Sequence, residues 1–187
     1  RVSSSAASDV YKRQMKSEIE EFVKNSQLNI EELDLGKDFD DAAKAHEIIM
    51  NGSIANSLMN YYQTDKSNLH PFTVKRIEAG IPVSASDYVS AIEQAKKMEQ
   101  ILKQFFKKYD AIITPAAPGQ APRDLMNTGN AIFNGYWTMM GVPAISLPFL
   151  KGKDDLPIGI QFIANWSEDL KLLEICKYIL EKEKLAD

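Results

Sequence analysis

Few residues in this chain have side chains suited to chemistry. His46 and His70 are its two histidines and Cys176 its single cysteine. A serine nucleophile needs a base beside it and a sharp turn to present it, and no Gly-x-Ser-x-Gly stretch occurs. His46 falls on the apolar side of a helical pattern and His70 directly precedes a proline, so packing and capping account for both. One cysteine makes no internal disulfide and no cysteine-based zinc site, and two histidines without suitably spaced acids make a poor metal site. No glycine-rich phosphate loop appears, so no cofactor is expected. Two stretches stand apart: "TPAAPGQAP" (114–122) and "FNGYWTMMGVPAISLPF" (133–149). They crowd Thr, Asn, Gly, Pro and aromatic residues between strand-like runs. Pro115, Pro143 and Pro148 fall at strand ends, where a missing N–H is tolerated, and Gly141 permits close backbone approach. Loops at strand ends are where binding groups gather. A loop-rich sheet edge explains the same residues equally well.

The elements that must position these loops are read from periodicity. Residues 15–25 predict a short helix, and the alternation in "LNIEELDL" (28–35) predicts a strand. From Asp38 a long helix is expected, with Phe39, Ala42, His46, Ile49 and Met50 on one face. Gly52 weakens it by about 1 kcal/mol relative to Ala, which predicts a bend there. A helix over Pro71 to Ala79 has Pro in its first turn and Gly80 just past its end. The clearest helix is 85–108. Ser84 and Asp87 resemble a capping box, and Tyr88, Ile92, Ala95, Leu102, Phe105 and Tyr109 mark its apolar face. Strands are expected at 110–115, 144–149 and 157–164, the last two as an antiparallel hairpin. Met139 and Met140 read as core. A final amphipathic helix has Ser167 as N-cap and Leu172, Leu173, Cys176, Ile179 and Leu180 as its buried face. Helices first, then strands and helices mixed, indicate an α/β or α+β layered fold.

Composition narrows the function. The chain has 187 residues, 44% apolar and 26% charged, which suits a soluble globular domain. The net charge of −4 argues against nucleic acid as a direct partner, and no apolar run approaches a membrane span. The lone cysteine fits a reducing, cytoplasmic setting; a sequence lost upstream leaves export open. Residues 1–14 read differently from the rest. "SSAASDVYKRQ" (Ser4 to Gln14) has no apolar period and resembles the translation of a transposase-type sequencing adapter. Residues 1–14 are therefore expected to be non-native and disordered, with 15–187 the C-terminal part of a single domain.

The order "YDAIITPAAPGQAP", "FNGYWTMMGVPAISLPF", "DLPIGIQFIANWSEDLKLLEIC", preceded by "HPFTVKRIEAGIPVSASDYVSAIEQAKKMEQIL", resembles the C-terminal part of the amidase signature family. The likeness runs in order over 28–184, and "GVPAISLPF…LPIGIQFI" is its most specific piece. The resemblance implies an α/β fold, an α/β/α domain around a mixed sheet with long helices flanking it. It implies amide cleavage by a Ser activated by a Lys through a second, cis-linked Ser, with an acyl-enzyme intermediate. The Gly/Ser-rich loop and the Lys of that machinery have no counterpart in this sequence. No catalytic residue is transferred, and the chain is expected to be an inactive fragment whose catalytic half is absent.

What the resemblance does carry over is a set of loop residues that face the substrate in the family: Thr114, Asn134, Trp137 and Thr138. Asn134 and Thr138 could orient an amide by hydrogen bonds, and Trp137 could wall an apolar acyl group. A purely structural role fits each as well. Ala131 stands where the glutamine-using, tRNA-dependent branch of the family tends to carry Asp, which favours a small carboxamide as substrate. The partners expected are that small-molecule amide, the missing N-terminal half of the same domain and, optionally, a second copy in a homodimer. Two alternatives stay open: a protein like the glutamine amidotransferase component of tRNA-dependent amidation, and a non-catalytic binding or scaffold module.

Overall fold

The computed structural model describes residues 9–26, 28–152 and 154–184, with side chains described from Ser17 to Lys182 apart from Gln27 and Lys153. The chain divides into two compact units, one of residues Gly36–Gln100 and one of the residues before and after them.

The Gly36–Gln100 unit is helical. A short 3₁₀ turn at Lys37–Phe39 leads into α2 (Ala42–Thr64); α3 (Pro71–Gly80) and the first part of α4 (Ala85–Phe105) follow. The helix α2 runs unbroken past Gly52. No bend forms there because the missing Cβ makes room for a neighbour: a Cβ at Gly52 would lie 3.0 Å from the Tyr88 ring. The Tyr88 hydroxyl meets Ser53 Oγ at 3.0 Å. Gly80 does more. It is the last residue of α3, and a Cβ on it would lie 2.0 Å from the Asn51 carbonyl oxygen. The expected N-terminal features of α3 are present, with Pro71 in the first turn and His70 Nδ1 accepting from the Phe72 N–H at 3.2 Å. The Ser84–Asp87 pair forms in altered sense. Ser84 Oγ accepts from the Asp87 N–H at 3.0 Å and donates to the Asp87 carboxylate at 2.6 Å, because Asp is too short to reach back to the backbone. The buried face of α4 is Ala91, Ala95, Met98 and Leu102, with Phe106 just beyond the helix. Of the expected face, Ala95 and Leu102 are buried, while Tyr88, Ile92, Phe105 and Tyr109 are only partly buried.

The second unit holds α1 (Asp9–Asn25), β1 (Ile112–Pro115), α5 (Gly135–Met140), β2 (Ala144–Lys151), β3 (Pro157–Ile163) and α6 (Asp169–Lys184). Residues 9–14 of the adapter-like segment fall within α1; residues 1–8 lie outside the described residues. Helix is a matter of local propensity and says nothing of descent. Residues 28–35 form no strand despite their alternation.

The three described strands are all antiparallel in the order β1-β3-β2. The hairpin β2–β3 forms as expected, with its register shifted between Leu147 and Leu150. One sheet face packs on α1 and α6: Leu147, Ile160 and Phe162 join Phe22, Leu172, Cys176 and Ile179. Phe149 stacks on Phe22 at 5.2 Å. The final helix starts at Asp169, not after Ser167, whose backbone sits at φ +61 in the left-handed region. Leu173 and Leu180 are exposed, so only one line of this helix meets the sheet. Among the described residues no helix is long and apolar enough to cross a membrane.

Candidate functional site

The sheet face opposite α1 and α6 carries a polar row. Thr114 of β1 pairs with Gln161 of β3, which pairs with Ser146 of β2, so one register crosses all three strands with side chains that hydrogen-bond. Thr114 and Gln161 are buried at 5% and 3% exposure. Burial of polar groups is stable only where partners exist. The Gln161 side-chain nitrogen lies 2.8 Å from Thr114 Oγ1, 3.0 Å from the Pro115 carbonyl oxygen and 2.8 Å from the Phe133 carbonyl oxygen.

The loop from Ala116 to Asn134 closes on this row. Asn134 caps the start of α5 in position, and its side-chain amide donates to the Ala116 carbonyl at 3.0 Å. Both ends of the loop are thereby tied together, as in a compact surface loop that packs on itself. Its base is held by Asp154, which accepts from Gln120 and from Arg123. Those two donors hold the exposed Asp154 carboxyl below the usual carboxylate range, the Arg123 hydrogen bond first. After α5 the chain turns at Gly141, φ +66, with its N–H on the Thr138 carbonyl and the Val142 N–H on the Trp137 carbonyl. This turn sets the start of β2.

The structure therefore brings Thr114 and Asn134 to one place, joined through Gln161 and Ala116. It separates the two α5 candidates. Trp137 is 1% exposed, with its ring edge-on to Tyr136 at 4.8 Å, so it packs as core. Thr138, the next residue, is exposed. Met140 is buried, as expected of core. Two donors on α5, the Tyr136 hydroxyl and Trp137 Nε1, are buried without a hydrogen-bond partner among the described residues. Burial pushes the Tyr136 phenol up to about 12.

Sequence reasoning missed Gln161. Its one signal is a lone amide in the apolar run "PIGIQFIA", where an unpaired polar group would be costly.

Chemically the arrangement ties the end of β1, the loop and the start of α5 together. It contains no nucleophile with an adjacent base. His46 and His70 lie in the helical unit. Burial, then the Arg76 charge, lowers the His46 pKa from its ordinary 6.5. Cys176 is buried in the α6 face, and burial raises its thiol pKa. Among the described residues no group of three or more His, Cys, Asp or Glu could hold a metal ion.

Comparison with known proteins adds to this geometry. A family model described as Amidase matches residues 7–173, beginning inside the adapter-like segment. The chain is similar to a component of the glutamyl-tRNA(Gln) amidotransferase of Aliarcobacter butzleri (strain RM4018). The two are 34% identical over 125 residues, covering 61% of this chain and 28% of that protein. It is 35% identical over 98 residues to "Fatty acid amide hydrolase" of Medicago truncatula, covering 46% of this chain and 16% of that protein. The chain thus spans less than a third of the length of these curated relatives. Among solved structures, one titled "Crystal structure of amidase" superposes with a TM-score of 0.77 at 20% identity, over 89% of this chain and 40% of that one. Kluyveromyces lactis allophanate hydrolase gives 0.69 at 17% identity, over 97% and 31%. At those identities the likeness is one of α/β fold.

Proposed function

The chain belongs to the amidase signature family, and from that premise we propose that it is the substrate-orienting part of an enzyme that cleaves the C–N bond of a small carboxamide. In this reading the nucleophilic Ser, the bridging cis-linked Ser and the Lys base are supplied by sequence beyond these residues. The Ser oxygen adds to the amide carbonyl carbon. The C–N bond breaks, the nitrogen leaves as ammonia or amine with a proton from the Lys relay, and water hydrolyses the acyl ester. Asn134 and Thr138 orient the amide, Thr114 fixes the strand end beside it, and Trp137 backs the acyl wall from the core. The observation that carries the proposal is the family match over 7–173 in a sequence without the Gly/Ser-rich loop that the resemblance leads one to expect.

The curated relatives favour a second reading, in which the protein serves as the glutamine-using component of an amidotransferase. Ala131 argues against it on the resemblance described above. One experiment separates the two. The source DNA upstream of the Met15 codon is sequenced and the protein it encodes is assayed on small primary amides, with and without glutamine, tRNA and the other amidotransferase components. Turnover of simple amides alone supports the first reading; turnover only with tRNA and those components supports the second. An upstream region with a start signal and no Lys or glycine-flanked Ser-Ser overturns both. Measurable amide turnover by residues 15–187 alone would overturn the assignment of catalysis to other sequence.

A further inference from the structure

We infer that Gln161 is the positioning residue of this site: its side-chain amide is a donor clamp that fixes the end of β1 against the entry to α5, and so sets where Thr114 and Asn134 stand. The carbonyls of Pro115 and Phe133 can only accept, so the amide must present its nitrogen to both. An amide nitrogen carries two hydrogens, and three acceptors lie within 3.0 Å of it. Every donor it has is spent on holding chain. Its partners lie 46 and 28 residues away in sequence, on segments that meet at this side chain. Gln161 is itself only 3% exposed and its partner Thr114 5%, so water is not at hand to replace a lost donor. Gly159, two residues earlier on the same face, is shaped for the same closure. Its carbonyl accepts from the Ala116 N–H at 3.0 Å, and a Cβ there would lie 3.1 Å from the Ala116 methyl and 2.1 Å from Ser146 Oγ. The loop start is seated on bare backbone and the loop end is tied by the amide above it.

The importance of the clamp for substrate rests on the amidase reading; the clamp itself does not. Its test uses no substrate, so either can fail while the other stands. Amide hydrogen exchange is measured on the 187-residue chain and on Gln161→Met and Gln161→Glu. The reporters are the Asn134 and Gly135 N–H groups, both bonded to the Ala131 carbonyl at the entry to α5. Loss of both donors in Gln161→Met should lower their protection roughly tenfold at every pH. In Gln161→Glu the loss should appear at about pH 8 and be partly recovered at about pH 5, because a buried carboxyl beside two carbonyls is favoured in its protonated, donating form. The groups facing residue 161 are the Thr114 hydroxyl, the Pro115 and Phe133 backbone and Ser146 across the strand, none charged in that range. On α5, Tyr136 titrates only near about 12. Protection in Gln161→Met within about twofold of the parent would overturn the clamp. So would a Gln161→Glu variant that matches Gln161→Met at both pH values, since volume and not donors would then matter. The unmodified chain gives a third readout that survives misfolding of both variants. The Gln161 side-chain NH₂ protons should exchange far more slowly than those of a solvated glutamine, and equal rates would overturn the proposal.

Discussion

The helical unit and the sheet unit solve the packing problem in opposite ways. Within Gly36–Gln100 the buried positions of α2, α3 and α4 are mostly small: Ala42, Ala45, Ala55, Gly80, Ala91 and Ala95, with Ile77 and Met98 as the large exceptions. Backbone approaches backbone, to the point that Gly80 leaves no room for a methyl beside Asn51. The sheet unit buries Trp137, Phe162, Ile160, Ile163 and Leu172 almost completely. Stability there comes from large apolar areas leaving water. The buried amides follow the same division. Asn51 meets a side chain, Arg76, at 3.2 Å; Gln161 meets the Thr114 hydroxyl and two backbone carbonyls. The first links two helices; the second decides where a loop begins and ends. One unit should thus be damaged by added atoms and the other by removed ones.

Substitutions can break or sharpen that contrast. Both tryptophans, Trp137 and Trp166, lie in the sheet unit, so fluorescence melts report on it while far-UV circular dichroism is weighted to helix. The largest effect is expected from Trp137→Ala, about 4 kcal/mol in denaturant melts followed by Trp166 fluorescence. A loss under about 1 kcal/mol would show that this ring is not core. In the helical unit the counterpart is an insertion. Gly80→Ala should cost about 2–3 kcal/mol, since its clash is with backbone that cannot rotate away. Silence there would mean that α2 and α3 separate easily. Next come the amides: Gln161→Met at about 2 kcal/mol and Asn51→Ala at about 1 kcal/mol, the latter smaller because half-buried Arg76 can turn to water or to Glu47 at 3.6 Å. Equal costs would mean that the two backbone carbonyls held by Gln161 add nothing beyond what a single side-chain partner gives Asn51.

The smallest effect is one of pH. Folding lowers the His46 pKa from 6.5, by burial first and by Arg76 second, while Glu47 opposes. The folded protein then binds fewer protons than the unfolded chain, so this contribution is present above pH 6.5 and fades as pH falls through 6.5 toward the lowered value. Urea melts between about pH 5 and 8 should show a shallower acid loss in His46→Gln than in the parent. Identical slopes would mean that His46 is solvated in the folded state.

The hairpin β2–β3, the helix ends at Pro71 and the loops around Asn134 were legible because each rests on local rules: alternation, a proline in the first helical turn, turn residues between apolar runs. On α4 the expected Ala95 and Leu102 are buried, but Ala91 and Met98 share that face in place of Tyr88, Ile92 and Phe105, because bulky aromatic residues dominate an apolar count although smaller side chains fit. Gln161 was invisible for a different reason. Its partners are backbone carbonyls, which no residue type announces, on segments whose meeting is a product of the fold. Thr114 and Asn134 are named by the family resemblance; what joins them is not.

The register shift in β2 has a bearing on solution behaviour. Among the described strands, β2 has a neighbour on one side only. A free strand edge is a template for pairing with other chains. Pro148 offers no N–H, and it sits where pairing with β3 is interrupted between Leu147 and Leu150. An incoming strand therefore finds an unbroken ladder only along Ala144–Leu147, about 13 Å of backbone. That stretch is shorter than the roughly six- or seven-residue segments typical of fibre-forming strands.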